Sequence, residues 1–181
     1  GNVVQVALRI GNRLVGNGDD AAAIEITLGG FAAELLRPTR FALTGADLGA
    51  TLDGRPIPPW TGASARAGSV LTVPGPGSQC RAYLALAGGV AVEPVMGSRS
   101  TYLRGGFGGA HGRALKRGDV IATGTPACVP IPAAPRQLIP AYAPDYANDF
   151  GSRVFRFSAM SPRSAGFFAT IDRASWKFAL M

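Results

Sequence analysis

The sequence predicts a mainly β, antiparallel domain with one helix near its start. Three observations predict it. Gly 25 and Pro 14 in 181 residues is a density of turn formers that argues against a helical bundle. Short apolar runs recur between turn signals from Phe41 to Thr123, the pattern of an all-β barrel or sandwich. Only one stretch with strong helical periodicity precedes them.

That stretch is Val4–Val15, where Ala7, Ile10 and Leu14 recur at spacings of three and four and Arg9 and Arg13 fall elsewhere. Gly16-Asn17-Gly18 should end it, since these residues accept the left-handed backbone of a helix C-terminus. Ala21–Leu28 reads as a half-buried strand, with Ile24, Ile26 and Leu28 alternating with Glu25 and Thr27. Gly29-Gly30 then turns the chain, and Phe31–Leu36 can return as its partner strand. Ala50–Leu52 and Arg55–Ile57 flank Asp53-Gly54, the strongest short hairpin signal, and Pro56, Pro58 and Pro59 keep that hairpin at a sheet edge. Phe41–Thr44, Ser69–Val73 and Arg81–Ala87 are further strands. Arg66–Leu71 and Lys116–Ile121 each set a basic residue and a glycine turn before an apolar strand, one turn geometry used twice.

The organisation expected is a barrel-type domain over residues 1–127, a proline-rich linker or arm over 128–149, and a basic tail over 150–181. Within the last, Val154–Phe157 reads as a strand and Arg173–Leu180 as weakly helical. The formal net charge is +7. Residues 1–149 carry 13 Lys+Arg against 10 Asp+Glu, whereas residues 150–181 carry five bases and one acid. The body is nearly balanced, without the basic stripe of a nucleic-acid binder. The longest apolar run, Tyr83–Val92, holds two glycines and is too short for a membrane span, and no signal peptide opens the chain. Cys80 and Cys128 make neither a disulfide framework nor a metal site, and no metal-ligand set is seen. His111, the sole imidazole, reads as an exposed loop residue.

Three segments could carry chemistry. Gly97–Gly109 holds Arg99 and Arg104, the hydroxyls of Ser98, Ser100 and Thr101, and Tyr102 among glycines. Guanidinium forks and hydroxyls suit carboxylate or phosphate oxygens, and glycines let a ligand approach. The segment lacks the ending of a P-loop and the strand–helix context of a dinucleotide fingerprint. The bland alternative is a surface glycine loop with solvated arginines. Asp47, just after Thr44 and Gly45, could orient a polar substrate or act as a base, or merely close an Asx turn. Glu25, on the polar face of a half-buried strand, should be solvated.

Eight blocks in order carry a resemblance: Leu14–Asn17, Ile24–Gly30, Ala42–Asp47, Leu52–Pro56, Arg66–Gly68, Arg81–Gly89, Gly97–Tyr102 and Lys116–Ile121. Over roughly residues 1–124 the chain resembles the biotin-dependent carboxyltransferase family, also called allophanate hydrolase subunit 2 or the C component of 5-oxoprolinase. The resemblance implies a cyclophilin-like antiparallel β-barrel, here incomplete, because the family pattern starts earlier and continues further. It implies ATP-dependent opening of 5-oxoproline to glutamate, or carboxyl transfer from carboxybiotin to urea on the allophanate pathway. ATP would be used through the complex, and biotin is a candidate second cofactor.

The implied partner is a companion subunit of related fold, of the 5-oxoprolinase B or allophanate hydrolase subunit 1 type. The implied substrate is a small carboxylate or amide, and the implied setting is the bacterial cytoplasm. On these blocks Asp47, Arg99 and Arg104 are the expected catalytic residues. Thr44, Ser100, Thr101 and Tyr102 are the expected substrate-binding residues. The rival expectations are a regulatory binding module, an antagonist of a histidine-kinase inhibitor, and an inactive fragment whose strand edges stay unpaired.

Overall fold

A computed structural model describes residues 2–75 and 80–126, together with the backbone of two short strands at 136–137 and 178–180. Helix α1 runs over Asn2–Val15. It closes as expected: the N–H of Asn17 reaches the Asn12 carbonyl at 2.8 Å and that of Gly16 reaches Arg13 at 3.2 Å, the paired bonds of a Schellman end. Its buried face is narrower than predicted. Ala7, Gly11, Asn12 and Val15 are buried, whereas Ile10 and Leu14 are only half-covered. The small residues let α1 lie close on the sheet: a Cβ at Gly11 would sit 3.0 Å from the Thr44 hydroxyl and 3.3 Å from Ala85.

The strands are β1 Ile24–Thr27, β2 Phe31–Leu35, β3 Thr39–Gly45, β4 Thr51–Leu52, β5 Arg55–Pro56, β6 Thr61–Ala65, β7 Ser69–Val73, β8 Arg81–Leu86, β9 Arg136–Gln137 and β10 Phe178–Leu180. They form two antiparallel sheets, of order β10-β1-β8-β3-β6-β9 and β2-β7-β4-β5. The mainly β, antiparallel class with an N-terminal helix is therefore observed, and among the described residues the barrel is not closed. The apolar residues facing inward from the two sheets, among them Ile24, Ile26, Phe31, Leu35, Phe41, Leu71, Leu84 and Leu86, form one buried core with Leu115 and Ile121. Each such side chain contributes about 1.5–3 kcal/mol by leaving water. A second cluster, Val15, Ala23, Ala42, Ala85 and Ala87, lies between α1 and the outer face of the larger sheet.

The Asp53-Gly54 hairpin forms at the edge of the smaller sheet, with φ of 51° and 77° at its two central residues, the backbone of a type I′ turn. Asp53 also accepts the Val70 N–H at 2.7 Å, and that bond, with Ser69 adding to it, holds its carboxyl below the usual range. The twice-used turn is present as expected. Ser69 N–H reaches Arg66 at 3.2 Å and Asp119 N–H reaches Lys116 at 3.1 Å. Only the first is followed by a strand, the second leading to an isolated bridge between Thr123 and Val90.

Three further expectations fail. Phe31–Leu35 does not pair with β1; it pairs with β7 in the other sheet. Leu28, Gly29 and Gly30 all have positive φ, and Leu28 and Gly30 donate to Cys80 and Pro74, which swings the chain across. Strand β1 is not half-buried: Ile24, Glu25 and Ile26 are all buried, so Glu25 is not solvated. The end of the chain is not helical at 178–180 but a strand, which takes up the free edge of β1. The expected linker and basic tail, including the strand at Val154–Phe157, otherwise lie outside the described residues.

Candidate functional site

Where β8 leaves the larger sheet, two segments cross in contact. A Cβ on Gly88 would collide with the Gly124 carbonyl, and one on Gly124 would lie 2.5 Å from the Gly88 carbonyl. The N–H of Gly124 bonds to Gly89 at 3.0 Å. Side chains are excluded there, and the crossing forms the floor of a cleft of about 810 Å³. Ala21, Ala22 and Val90–Val92 form one wall, and the glycine-rich segment from Gly106 to Gly112 forms the other.

Helix α1 fixes the floor through two asparagines. Asn17 donates to the Leu86 carbonyl at 2.7 Å and accepts the Gly88 N–H at 2.8 Å. Asn12 accepts from Asn17 at 3.0 Å and donates to Ala21 at 2.7 Å. Behind the opposite wall, Arg113 grips Asp119 with both guanidinium nitrogens at 2.6 and 2.8 Å. Burial works against ionisation of Asp119, but this fork and the Lys116 N–H hold its carboxyl below the usual range.

Arg99 stands at the cleft with Nη1 3.7 Å from Asp20 Oδ2, and both side chains keep access to solvent. Such an exposed, long ion pair is weak and can be exchanged for a ligand carboxylate. Thr101, two residues on, is buried, and its hydroxyl has no partner among the described residues. Ser100 is half-buried and its N–H is held by the Ser98 hydroxyl at 3.1 Å.

Of the seven residues singled out from sequence, Arg99 alone is among those lining the cleft. Ser100 and Thr101 follow it in the chain. Tyr102 and Arg104 project outward on a turn and are exposed. Asp47 lies elsewhere, exposed beside a small hollow under Pro59 and Ala82, and its Oδ1 accepts the Gly49 N–H at 3.0 Å; the Asx-turn alternative describes it. Thr44 is buried under α1 and donates to the Ala7 carbonyl at 2.8 Å, which commits its hydroxyl to helix packing.

Asp20, Glu93 and His111 also line the cleft, although sequence pattern gives none of them a site role. His111 is exposed, as expected, yet it stands on the cleft wall with a φ of 59°. No local signal marks Asp20, whereas Gly88-Gly89 is a local sign of close backbone approach. In sequence Glu25 is visible only as an acid in an apolar strand. It is 1% exposed, accepts the Tyr83 hydroxyl at 2.9 Å and the Thr27 hydroxyl at 3.3 Å, and lies 3.4 Å from Arg81 Nε. Burial pushes its carboxyl up, with Arg81 and the two hydroxyls opposing. Tyr83 is pushed up in turn by burial and by Glu25. Among the described residues no cluster of His, Cys, Asp and Glu could hold a metal ion, and no helix is long and apolar enough to cross a membrane.

Residues 1–163 match the family described as carboxyltransferase domain, subdomain A and B. The chain belongs to this carboxyltransferase-domain family. It is 50% identical over 120 residues to the C component of 5-oxoprolinase from Escherichia coli K12, covering 65% of this chain and 38% of that protein. It is 42% identical over 115 residues to urea amidolyase of Saccharomyces cerevisiae, covering 64% of this chain and 6% of that protein. The solved structure of Kluyveromyces lactis urea carboxylase superposes with a TM-score of 0.66 at 35% identity, covering 73% of this chain and 12% of that one. The carboxyltransferase-domain chain thus spans well under half the length of these relatives.

Proposed function

We propose that the chain is part of a carboxyltransferase-type enzyme subunit that processes a small amide or lactam bearing a carboxylate. Its preferred reaction is ATP-dependent opening of 5-oxoproline to glutamate, with urea carboxylation as the related route. The observation that carries this reading is the exchangeable Arg99–Asp20 pair at the cleft, 3.7 Å apart. Arg99 would clamp the substrate carboxylate in place of Asp20, and the half-buried Ser100 that follows it in the chain would orient the amide. The likeness to the 5-oxoprolinase C component of Escherichia coli supports this substrate class.

The cleft's ionisable groups are Asp20, Glu93, Arg99 and His111, so two carboxylates face one guanidinium. That set offers a single guanidinium, enough for one carboxylate that displaces Asp20 and not for a triphosphate. ATP, and biotin on the urea route, would therefore act from companion subunits. Co-expression with a companion of the 5-oxoprolinase B type should give 5-oxoproline-dependent ATP hydrolysis. Arg99→Ala should then lower kcat/KM by roughly 100-fold, a loss on the order of 2–3 kcal/mol, chiefly through KM. Unchanged turnover in that variant would remove the clamp.

A further inference from the structure

Along the glycine-rich wall the backbone is left-handed at five positions. Gly106, Gly108, Gly109, His111 and Gly112 have φ of 68°, 73°, 50°, 59° and 63°. Four of the five are glycine, which adopts this conformation without steric cost. His111 is the exception. An L-residue held there stores strain, which persists where the surroundings fix it and which clusters at working sites.

Both neighbours of His111 are fixed. Ala110 is fully buried in the core. Gly112 donates its N–H to Gly108 at 3.0 Å and packs directly on Gly106 and Phe107, at the end of the turn that Phe107 closes with Tyr102. His111 itself is exposed and lines the cleft. The strained residue is thus the one that faces the ligand space, and its backbone cannot relax without moving the wall.

Asp20, the partner of Arg99, adjoins Ala21 on the opposite wall. A ligand whose carboxylate replaced Asp20 would turn its remaining atoms toward the glycine wall. Asp20 and Glu93 can only accept hydrogen bonds when ionised. Apart from them, Arg99 and His111, the residues lining the cleft are glycine, alanine, valine and phenylalanine. Among the described lining residues, His111 is therefore the side chain other than Arg99 that can donate a hydrogen bond. Either neutral tautomer of an imidazole, and its cation, carries an N–H.

We propose that His111 is a second substrate-binding residue of the cleft, donating an N–H to the carbonyl oxygen of the amide or lactam whose carboxylate Arg99 holds. The proposal rests on the proposed function for its substrate. Ser100 would approach the amide from the side of Arg99, and His111 from across the cleft. Two such contacts select a carboxylate joined to an amide, because a ligand lacking either group leaves one of them unmade.

The chain has a single histidine, so its imidazole gives one resonance when this chain carries isotope-labelled histidine and its companion of the 5-oxoprolinase B type is unlabelled. In that complex 5-oxoproline should move the resonance saturably. Proline, which has the carboxylate and no amide carbonyl, should leave it in place. In Arg99→Ala the response should shift to higher 5-oxoproline concentration. His111→Gly deletes the imidazole and relieves the backbone. It should melt no lower than wild type while kcat/KM for 5-oxoproline falls about fivefold, the loss of one hydrogen bond.

A resonance unmoved at 5-oxoproline concentrations that saturate turnover, an equal response to proline, or unchanged kcat/KM in His111→Gly would each overturn the proposal and leave the proposed function standing. So would a loss of kcat/KM matched by a lower melting temperature, the mark of a merely structural residue. If 5-oxoproline is neither turned over nor felt by the imidazole while N-acetylglycine moves the resonance, the 5-oxoproline reading falls. His111 then keeps its role toward another carboxylate-bearing amide.

Discussion

Gly112→Ala should unfold the cleft wall and lower the melting temperature well beyond what its backbone alone explains. Gly112 has φ of 63°, and an L-residue held there costs about 1–2 kcal/mol. The added Cβ would also overlap the Gly106 carbonyl and the Phe107 nitrogen, which are backbone atoms unable to swing aside. Residues 106 and 107 would have to move, and with them the Tyr102–Phe107 turn.

Gly106→Ala is the matched control. Its φ is 68° and a Cβ there meets nothing within 4 Å, so it carries the backbone term without the collision. A loss of 1 kcal/mol lowers Tm by about 2–4 °C in a domain of this size. Gly106→Ala should therefore fall by a few degrees, and Gly112→Ala by roughly twice that or more. Equal melting temperatures for the two variants would show that the loop relaxes freely and that the wall is not rigid.

Glu25→Ala should cost about 3–5 kcal/mol, the usual penalty for removing one partner of a buried pair. It would leave Arg81 beside an empty space and Tyr83 without the oxygen that accepts its hydroxyl. Glu25→Gln keeps an acceptor for Tyr83 and should cost much less.

The two variants also separate charge from packing through pH. Burial raises the folded carboxyl above its ordinary value, so between the ordinary and the raised value the native state holds a proton that the unfolded chain has released. Stability from this group is then complete below the ordinary carboxylate pKa. It is lost as pH rises from there through the raised folded value. Glu25→Gln should flatten that decline, and the difference between wild type and variant isolates it from Asp53 and Asp119, whose lowered values act in the opposite direction. Urea unfolding across pH 4 to 8 measures it; parallel wild-type and variant curves would mean that Glu25 ionises as freely folded as unfolded.

What is legible in the sequence is local. The Asp53-Gly54 turn, the limits of β7 and the Gly16 helix end each depend on a few neighbouring residues whose backbone preferences agree. The sheet assignment of β2 is not legible, because it hangs on Leu28 taking a positive φ that a leucine does not advertise. The burial of Glu25 is hidden because residues distant in sequence, Tyr83 and Arg81, close over it. The candidate site divides the same way. The arginine- and hydroxyl-bearing glycine segment is visible as a unit, but a turn of a few residues sends Arg99 toward the cleft and Arg104 away from it. Asp20 and the Gly88–Gly124 crossing become neighbours of that segment only through the sheet.

The paired asparagines at the end of α1 make the amide hydrogen of Gly88 a remote gauge. That hydrogen is held by a side chain, Asn17 Oδ1, and not by a sheet ladder. Its rate of exchange with deuterated water therefore follows the seating of the helix end instead of the opening of a strand. A ligand that tightens the cleft floor should slow exchange at this one site while strand amides are left as they were. A single backbone resonance could then report occupancy of the cleft without any label placed inside it.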